Sequence, residues 1–128
     1  MPEAIVETVY FDQPGPANTS RTLEIACRRA EELDVETILV ATTRGDTGAQ
    51  AAAMFQDWSL VVVSHSTGFT EPNVQQLTDE NRAAIETAGG TILTCQHAFG
   101  GVNRAVRKKL GTYLTDAIIA YTLRILGQ

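Results

Sequence analysis

The chain has 128 residues, enough for one hydrophobic core and too few for two. Hydrophobic residues make up 44% and charged residues 20%, the proportions of a folded domain rather than a disordered chain. Fifteen acidic side chains against ten Lys and Arg give a formal charge of −5, which argues against a surface built to grip nucleic acid or an anionic membrane.

No apolar run approaches the roughly 20 residues that cross a bilayer. The start, Met1-Pro2-Glu3-Ala4, lacks the basic and then apolar pattern of a secretory signal. The expected compartment is the cytoplasm. Cys27 and Cys95 agree with it: each sits among apolar neighbours, with no CxxC spacing and no His pair nearby. Two reduced, mostly buried thiols are expected, and a disulfide between them stays open.

In chain order, Ile5 to Phe11 forms the first β-rich run. Asn18 is placed to cap a helix running to Leu33, with Leu23, Ala26, Cys27, Ala30 and Leu33 as its apolar stripe. A second β-run follows at Thr37 to Thr43, and Asp46 can cap a short helix to about Ala53. The third run is Leu60 to His65, after which Thr78 caps a helix over Asp79 to Ala88 that the Gly89-Gly90 pair ends. The fourth run is Thr91 to Cys95, then helices over Asn103 to Leu110 and Asp116 to Leu126, the last with Thr115 as its cap.

Ile38-Leu39-Val40-Ala41 and Leu60-Val61-Val62-Val63 are continuously apolar rather than alternating, the habit of strands buried on both faces. The order β-α-β-α-β-α-β-α-α therefore predicts a single domain over residues 1–128. Its expected architecture is a three-layer α/β/α fold with a mostly parallel sheet of about four strands and right-handed crossovers. The last helix carries Ile118, Ile119, Tyr121, Leu123, Ile125 and Leu126 around most of its circumference. Such a helix needs cover on more than one side, from another subunit or a further piece of protein.

Ligands of open α/β sheets bind outside the carboxyl ends of the strands. Four polar or glycine-rich segments follow the strands here: Asp12 to Thr19, Thr42 to Gly48, Ser64 to Phe69 and Gln96 to Gly101. In the second, a strand runs into Thr42-Thr43-Arg44-Gly45-Asp46-Thr47 and a helix begins. Threonine hydroxyls, a guanidinium and free backbone N–H groups at a helix start make a phosphate site. Asp46 opposes that reading, because as a cap it would consume those N–H groups and repel an anion. Both readings stand at this point, and the segment is neither a P-loop nor GxGxxG.

The two histidines, His65 and His97, each follow a strand directly. Either suits acid/base work or hydrogen bonding to a ligand, with Asp12 or Asp46 as a carboxylate partner. No metal site is expected, since three converging ligands are not in sight. Arg104, Arg107 and Lys108 share a helical face in a cluster holding four of the ten cations. That face is either solvated or, through Arg104 after Gly100-Gly101, turned toward an anion. GxSxG, HExxH and redox CxxC patterns are absent from the sequence.

The succession Val9 to Thr19, Ala41 to Thr47, His65-Ser66-Thr67-Gly68-Phe69 and His97-Ala98-Phe99-Gly100-Gly101-Val102-Asn103-Arg104 resembles the stand-alone pyruvate kinase C-terminal domain-like proteins. The similarity runs over nearly the whole chain, four motifs in order. It implies the fold of the allosteric C-terminal domain of pyruvate kinase without the barrel that performs that enzyme's chemistry. It also implies phosphate contacts from Thr42, Thr43, Arg44, Gly45 and Thr47, and FMN as one ligand. Relatives carry a small or aromatic residue in place of Arg44, and they continue past the last helix with further β-structure. The resemblance thus implies a shortened version, with a sheet of order 3-2-1-4 whose fourth strand has an open edge. It implies oligomerisation across the last helix or by edge pairing, or a complex with a chain supplying the missing β-structure.

The expected function is binding of a small phosphorylated molecule, namely flavin mononucleotide, nucleotide or sugar phosphate. Thr42, Thr43, Arg44, Gly45, Asp46 and Thr47 would surround the phosphate, and Asn18, Thr67, Gly68, Gly101, Arg104 and the histidines would line the rest. The alternatives are a lyase or isomerase acting on a phosphorylated carbonyl compound through His65 or His97, and a structural subunit of a larger assembly.

Overall fold

The computed structural model describes residues 6–96 and 98–127. A single 3-10 turn, Pro16–Asn18, leads into α1 (Thr19–Glu32). Then come β1 (Thr37–Thr42), α2 (Asp46–Met54), β2 (Ser59–Ser64), α3 (Asp79–Thr87), β3 (Thr91–Thr94), α4 (Ala98–Leu110) and α5 (Leu114–Leu126). The strands form one parallel sheet in the order β1-β2-β3. Leu39 lies opposite Val61, Ala41 opposite Val63, and Val63 opposite Leu93.

The mixed α/β class and the parallel pairing agree with expectation; the strand number and layering do not. Val6 to Phe11, the described part of the first β-run, is irregular, and Ile5 lies outside the described residues. A strand needs a ladder to satisfy its backbone; among the described residues this stretch pairs with no strand, and Glu7 meets Arg28 of α1 in an exposed ion pair at 3.3 Å. Among the described residues β3 pairs with β2, so in place of the expected order 3-2-1-4 the sheet has three strands with β2 at the centre.

The core lies on one face of the sheet. Leu23 of α1, Ala51 and Ala52 of α2, Phe55, Leu77 and Ile85 of α3 pack with Leu60 and Val62, flanked by Ile38, Val40 and Ile92. Phe55, Ile85 and Val62 are fully buried, each stabilising the fold by roughly 1.5–3 kcal/mol. Phe55 also meets Trp58 edge to face, with ring centroids 5.5 Å apart. On the opposite face Leu39 is 69% exposed and Leu93 46%. The apolar runs thus do not signal burial on both sides here: the described residues form two layers rather than three, because α4 and α5 pack on each other instead of on the sheet.

The helix ends show which local signals acted. Thr78 caps α3, its hydroxyl accepting from the Asn81 N–H at 3.2 Å. Asn18 stands at the N-cap of α1, but its side chain donates to the Gln13 carbonyl at 2.7 Å and caps nothing. In the α1 stripe Leu23 and Ala30 are buried and Cys27 half-buried, whereas Ala26 and Leu33 are exposed. Helix α4 begins five residues before the expected Asn103 and takes in Gly100 and Gly101. Glycine disfavours a helix interior by only about 1 kcal/mol, which a longer amphipathic helix overrides. Helix α5 begins at Leu114, so Thr115 is inside it; the Leu114 N–H finds the Thr112 hydroxyl at 3.3 Å instead. Among the described residues no helix is long and apolar enough to cross a membrane.

Candidate functional site

Parallel strands end together, so the loops after β1, β2 and β3 meet at one edge of the sheet. There they surround a cleft of about 790 Å3, lined by Thr42, Thr43, Arg44, Asp46 and Thr47 after β1, Ser64, His65 and Ser66 after β2, and Cys95 and Gln96 after β3. Ala41, Val63 and Gln76 complete it. The size is that of a small-molecule site.

The turn from β1 into α2 is built around Gly45, which is buried at φ +107°. A Cβ there would collide with Asn81 Cβ and stand 2.7 Å from Leu77 Cδ1, so the position excludes a side chain. The Gly45 N–H donates to Thr42 Oγ1 at 3.1 Å. Gly45, not Asp46, is the N-cap of α2, and no side chain caps this helix. The Ala49 N–H already donates to the Gly45 carbonyl, so the orphan donors are those of the three residues between. Asp46, the first helical residue, turns its carboxylate to Asn81 Nδ2 at 3.3 Å. Asn81 Nδ2 also donates to the Arg44 carbonyl at 3.1 Å, as does the Thr78 N–H at 3.1 Å. The expectation that Asp46 caps the helix is thus corrected. The start of α3 holds the turn, and the first two residues of α2, Asp46 and Thr47, line the cleft with no side chain capping the helix.

His65 is half-buried, and its Nδ1 lies 2.5 Å from Gln76 Oε1. With the Gln76 amide oxygen as the acceptor, Nδ1 is the donor of this contact, which turns Nε2 away from Gln76. Gln75 fixes the same loop: its Nε2 donates to the His65 carbonyl and to Thr67 Oγ1, both at 3.0 Å, while its Oε1 accepts from the Leu77 N–H at 3.0 Å. The Gly68 N–H donates to the Val74 carbonyl at 2.9 Å. Below the rim, Ser64 Oγ and Thr94 Oγ1 are 2.5 Å apart and tie β2 to β3.

Of the expected site residues, the cleft gathers Thr42, Thr43, Arg44, Asp46, Thr47 and His65, with Gly45 as the buried hinge of its wall. His97 lies outside the described residues. Asn18 is engaged with Gln13, and Thr67 and Gly68 serve loop geometry. Gly101 is inside α4, and the Arg104 guanidinium lies 4.3 Å from the centre of the Phe69 ring. Phe69 in turn stacks on His65 with centroids 4.1 Å apart, so Arg104 backs the site loop rather than lining the cleft. Asp12 is exposed and does not line the cleft.

Sequence reasoning missed Gln75, Gln76 and Cys95. The glutamines belong to no motif and arrive from a return segment, eleven and twelve residues after the end of β2. Both cysteines are free thiols, and Cys95 is exposed where burial was expected. Burial pushes the half-buried Cys27 thiol up from its usual value, with Glu31 and Asp57 adding to the effect. No group of three metal-ligating side chains converges among the described residues. No protein-family model matches the chain.

Proposed function

We propose that this chain binds a small phosphorylated molecule, with its phosphate at the start of α2. One observation carries the reading: the α2 N-terminus opens on the cleft with no side-chain cap, its carboxylate drawn off by Asn81. Free N–H groups and the positive end of a helix attract an anion. Arg44 on the cleft rim makes no ion pair among the described residues and supplies the charge. Thr43 and Thr47 add hydroxyls beside it. The same strand, turn and helix carry the resemblance to the stand-alone pyruvate kinase C-terminal domain-like proteins, and we take the chain as a relative of that family in the cytoplasm.

FMN fits this site at its phosphate end. For the flavin ring the lining among the described residues offers Ala41 and Val63 beside the imidazole of His65. The test is a thermal-shift series with FMN, mononucleotides and sugar phosphates, each beside its dephosphorylated counterpart. A ligand at a hundred times its Kd adds about 2.7 kcal/mol to the folded state. Stabilisation restricted to the phosphorylated member of a pair, and lost in Arg44→Ala, is expected. Equal responses within every pair overturn the reading.

His65 favours a second reading, an acid/base lyase or isomerase acting on a phosphorylated carbonyl compound. What supports it is the Gln76 contact, which engages Nδ1 and leaves Nε2 without a hydrogen-bond partner among the described residues of the same cleft. That reading requires turnover of a phosphorylated carbonyl compound, and its loss in His65→Gln with phosphate binding retained.

A further inference from the structure

We propose that the bare face of the sheet is an interface with a second copy of this chain, covered by that copy's α5, and that this contact forms one wall of the cleft. The wall's effect on ligand rests on the phosphate reading above; the interface does not.

Parallel sheets carry helices on both faces, because each face is apolar. Here Leu39, Ala41, Val61, Val63 and Leu93 make up the uncovered face. The same chain carries the missing kind of layer. Leu114, Ile118, Tyr121 and Ile125 recur at helical spacing along one stripe of α5, and each is more than half exposed. The dimensions match. Strands of six residues run about 20 Å, and a 13-residue helix also runs about 20 Å. Three strands span about 10 Å between outer axes, the width of one helix with its side chains.

Charge sets the orientation. Residues 98–127 hold Arg104, Arg107, Lys108, Lys109 and Arg124 against Asp116, five cations to one acid and a net +4. Residues 6–96 hold five arginines against thirteen acids, a net −8. Arg107-Lys108-Lys109 end α4 beside the turn into α5, while Asp34, Glu36 and Asp57 are exposed at the amino edge of the sheet. A helix pair laid along the strands with its turn at that edge brings the two clusters together. The chain's own pair is engaged elsewhere, with the Arg104 guanidinium 4.3 Å from the centre of the Phe69 ring in the loop after β2. A second copy is therefore the occupant, and the exchange repeats itself by two-fold symmetry.

Ala41 and Val63 belong both to the bare face and to the cleft lining. A helix on that face therefore borders the cleft.

Sedimentation velocity from micromolar to near-millimolar protein, at low and high salt, tests the interface. The expected result is a dimer that high salt weakens. Leu39→Glu and Ile118→Glu, both at exposed positions, should each give folded monomers by circular dichroism, and mixing the two should restore dimers through the one intact contact. Leu33→Glu, exposed elsewhere, should stay dimeric. A wild-type monomer throughout overturns the proposal. So does a dimer broken by only one of the two variants, which means face-to-face or helix-to-helix pairing. Arg44→Ala should lose phosphate-selective stabilisation yet remain a dimer, separating failure of the ligand reading from failure of the interface. If Leu39→Glu is monomeric but binds the phosphorylated ligand with wild-type affinity, the shared wall is overturned; a tenfold or greater loss supports it.

Discussion

The side-chain amide of Asn81 reaches the Asp46 carboxylate at 3.3 Å and the Arg44 carbonyl at 3.1 Å, so one residue of α3 governs the charge at the start of α2. In Asn81→Ala, Asp46 is released to the α2 amides, the usual partner of a carboxylate in a first turn. Two contacts to the turn vanish at the same time. The expected outcome is a stability loss of about 1 kcal/mol in urea titrations, together with weaker stabilisation by the phosphorylated ligand. Asp46→Asn on that background should recover part of the ligand response, since it removes the competing charge. A ligand response unchanged in Asn81→Ala would show that Asp46 has no influence on the anion.

Gly48→Ala tests how closely α2 sits on the sheet. An added Cβ would stand 2.7 Å from Val62 Cγ1, 3.0 Å from Ile85 Cδ1 and 3.2 Å from Thr42 Cγ2. Replacing glycine within a helix ordinarily gains about 1 kcal/mol. Overpacking costs about 1–3 kcal/mol, and here the neighbours are a buried valine and a buried isoleucine with no room to yield. Net destabilisation is expected in a denaturant melt. Because Thr42 accepts the Gly45 N–H, displacing it should also loosen the turn and lower phosphate-selective stabilisation.

The three strands were legible within a residue or so at each end, because unbroken apolar runs between polar loops have few other uses. Their pairing was not. Val6 to Phe11 has strand composition, but composition does not say whether a neighbouring backbone stands ready to pair. Leu39 is the sharpest misreading: a continuous apolar run specifies a strand with two apolar faces, not which partner covers each. At the site, Thr42 to Thr47 was legible as a possible cradle because glycine, threonine and arginine follow a strand. That the Asp46 carboxylate does not cap α2 goes with its contact to Asn81, thirty-five residues away and unremarkable in sequence.

Thr78→Ala is a clean cap deletion. The hydroxyl accepts from the Asn81 N–H, and the Thr78 N–H, which alanine keeps, still donates to the Arg44 carbonyl. A loss of about 1 kcal/mol is expected. The ligand response should fall less than in Asn81→Ala, since the Asn81 amide retains its partners. An equal fall would mean that α3 acts on the cleft through its position and not through that amide.

The two thiols should separate cleanly in alkylation. Cys95 is exposed and lines the cleft, whereas Cys27 is half-buried in α1 with its thiol pushed up, first by burial and then by Glu31 and Asp57. The thiolate is the reacting form, so a raised value leaves less of it near neutral pH. With iodoacetamide at pH 7.5, Cys95 should label first, and labelling of Cys27 should be slower and rise with pH. A phosphorylated ligand in the cleft should slow labelling of Cys95 and leave Cys27 untouched, as read by peptide mass spectrometry. The dephosphorylated counterpart should protect neither. Protection of both thiols would point to global tightening instead of occupancy, and protection of neither by a ligand that stabilises the fold would place that ligand away from β3.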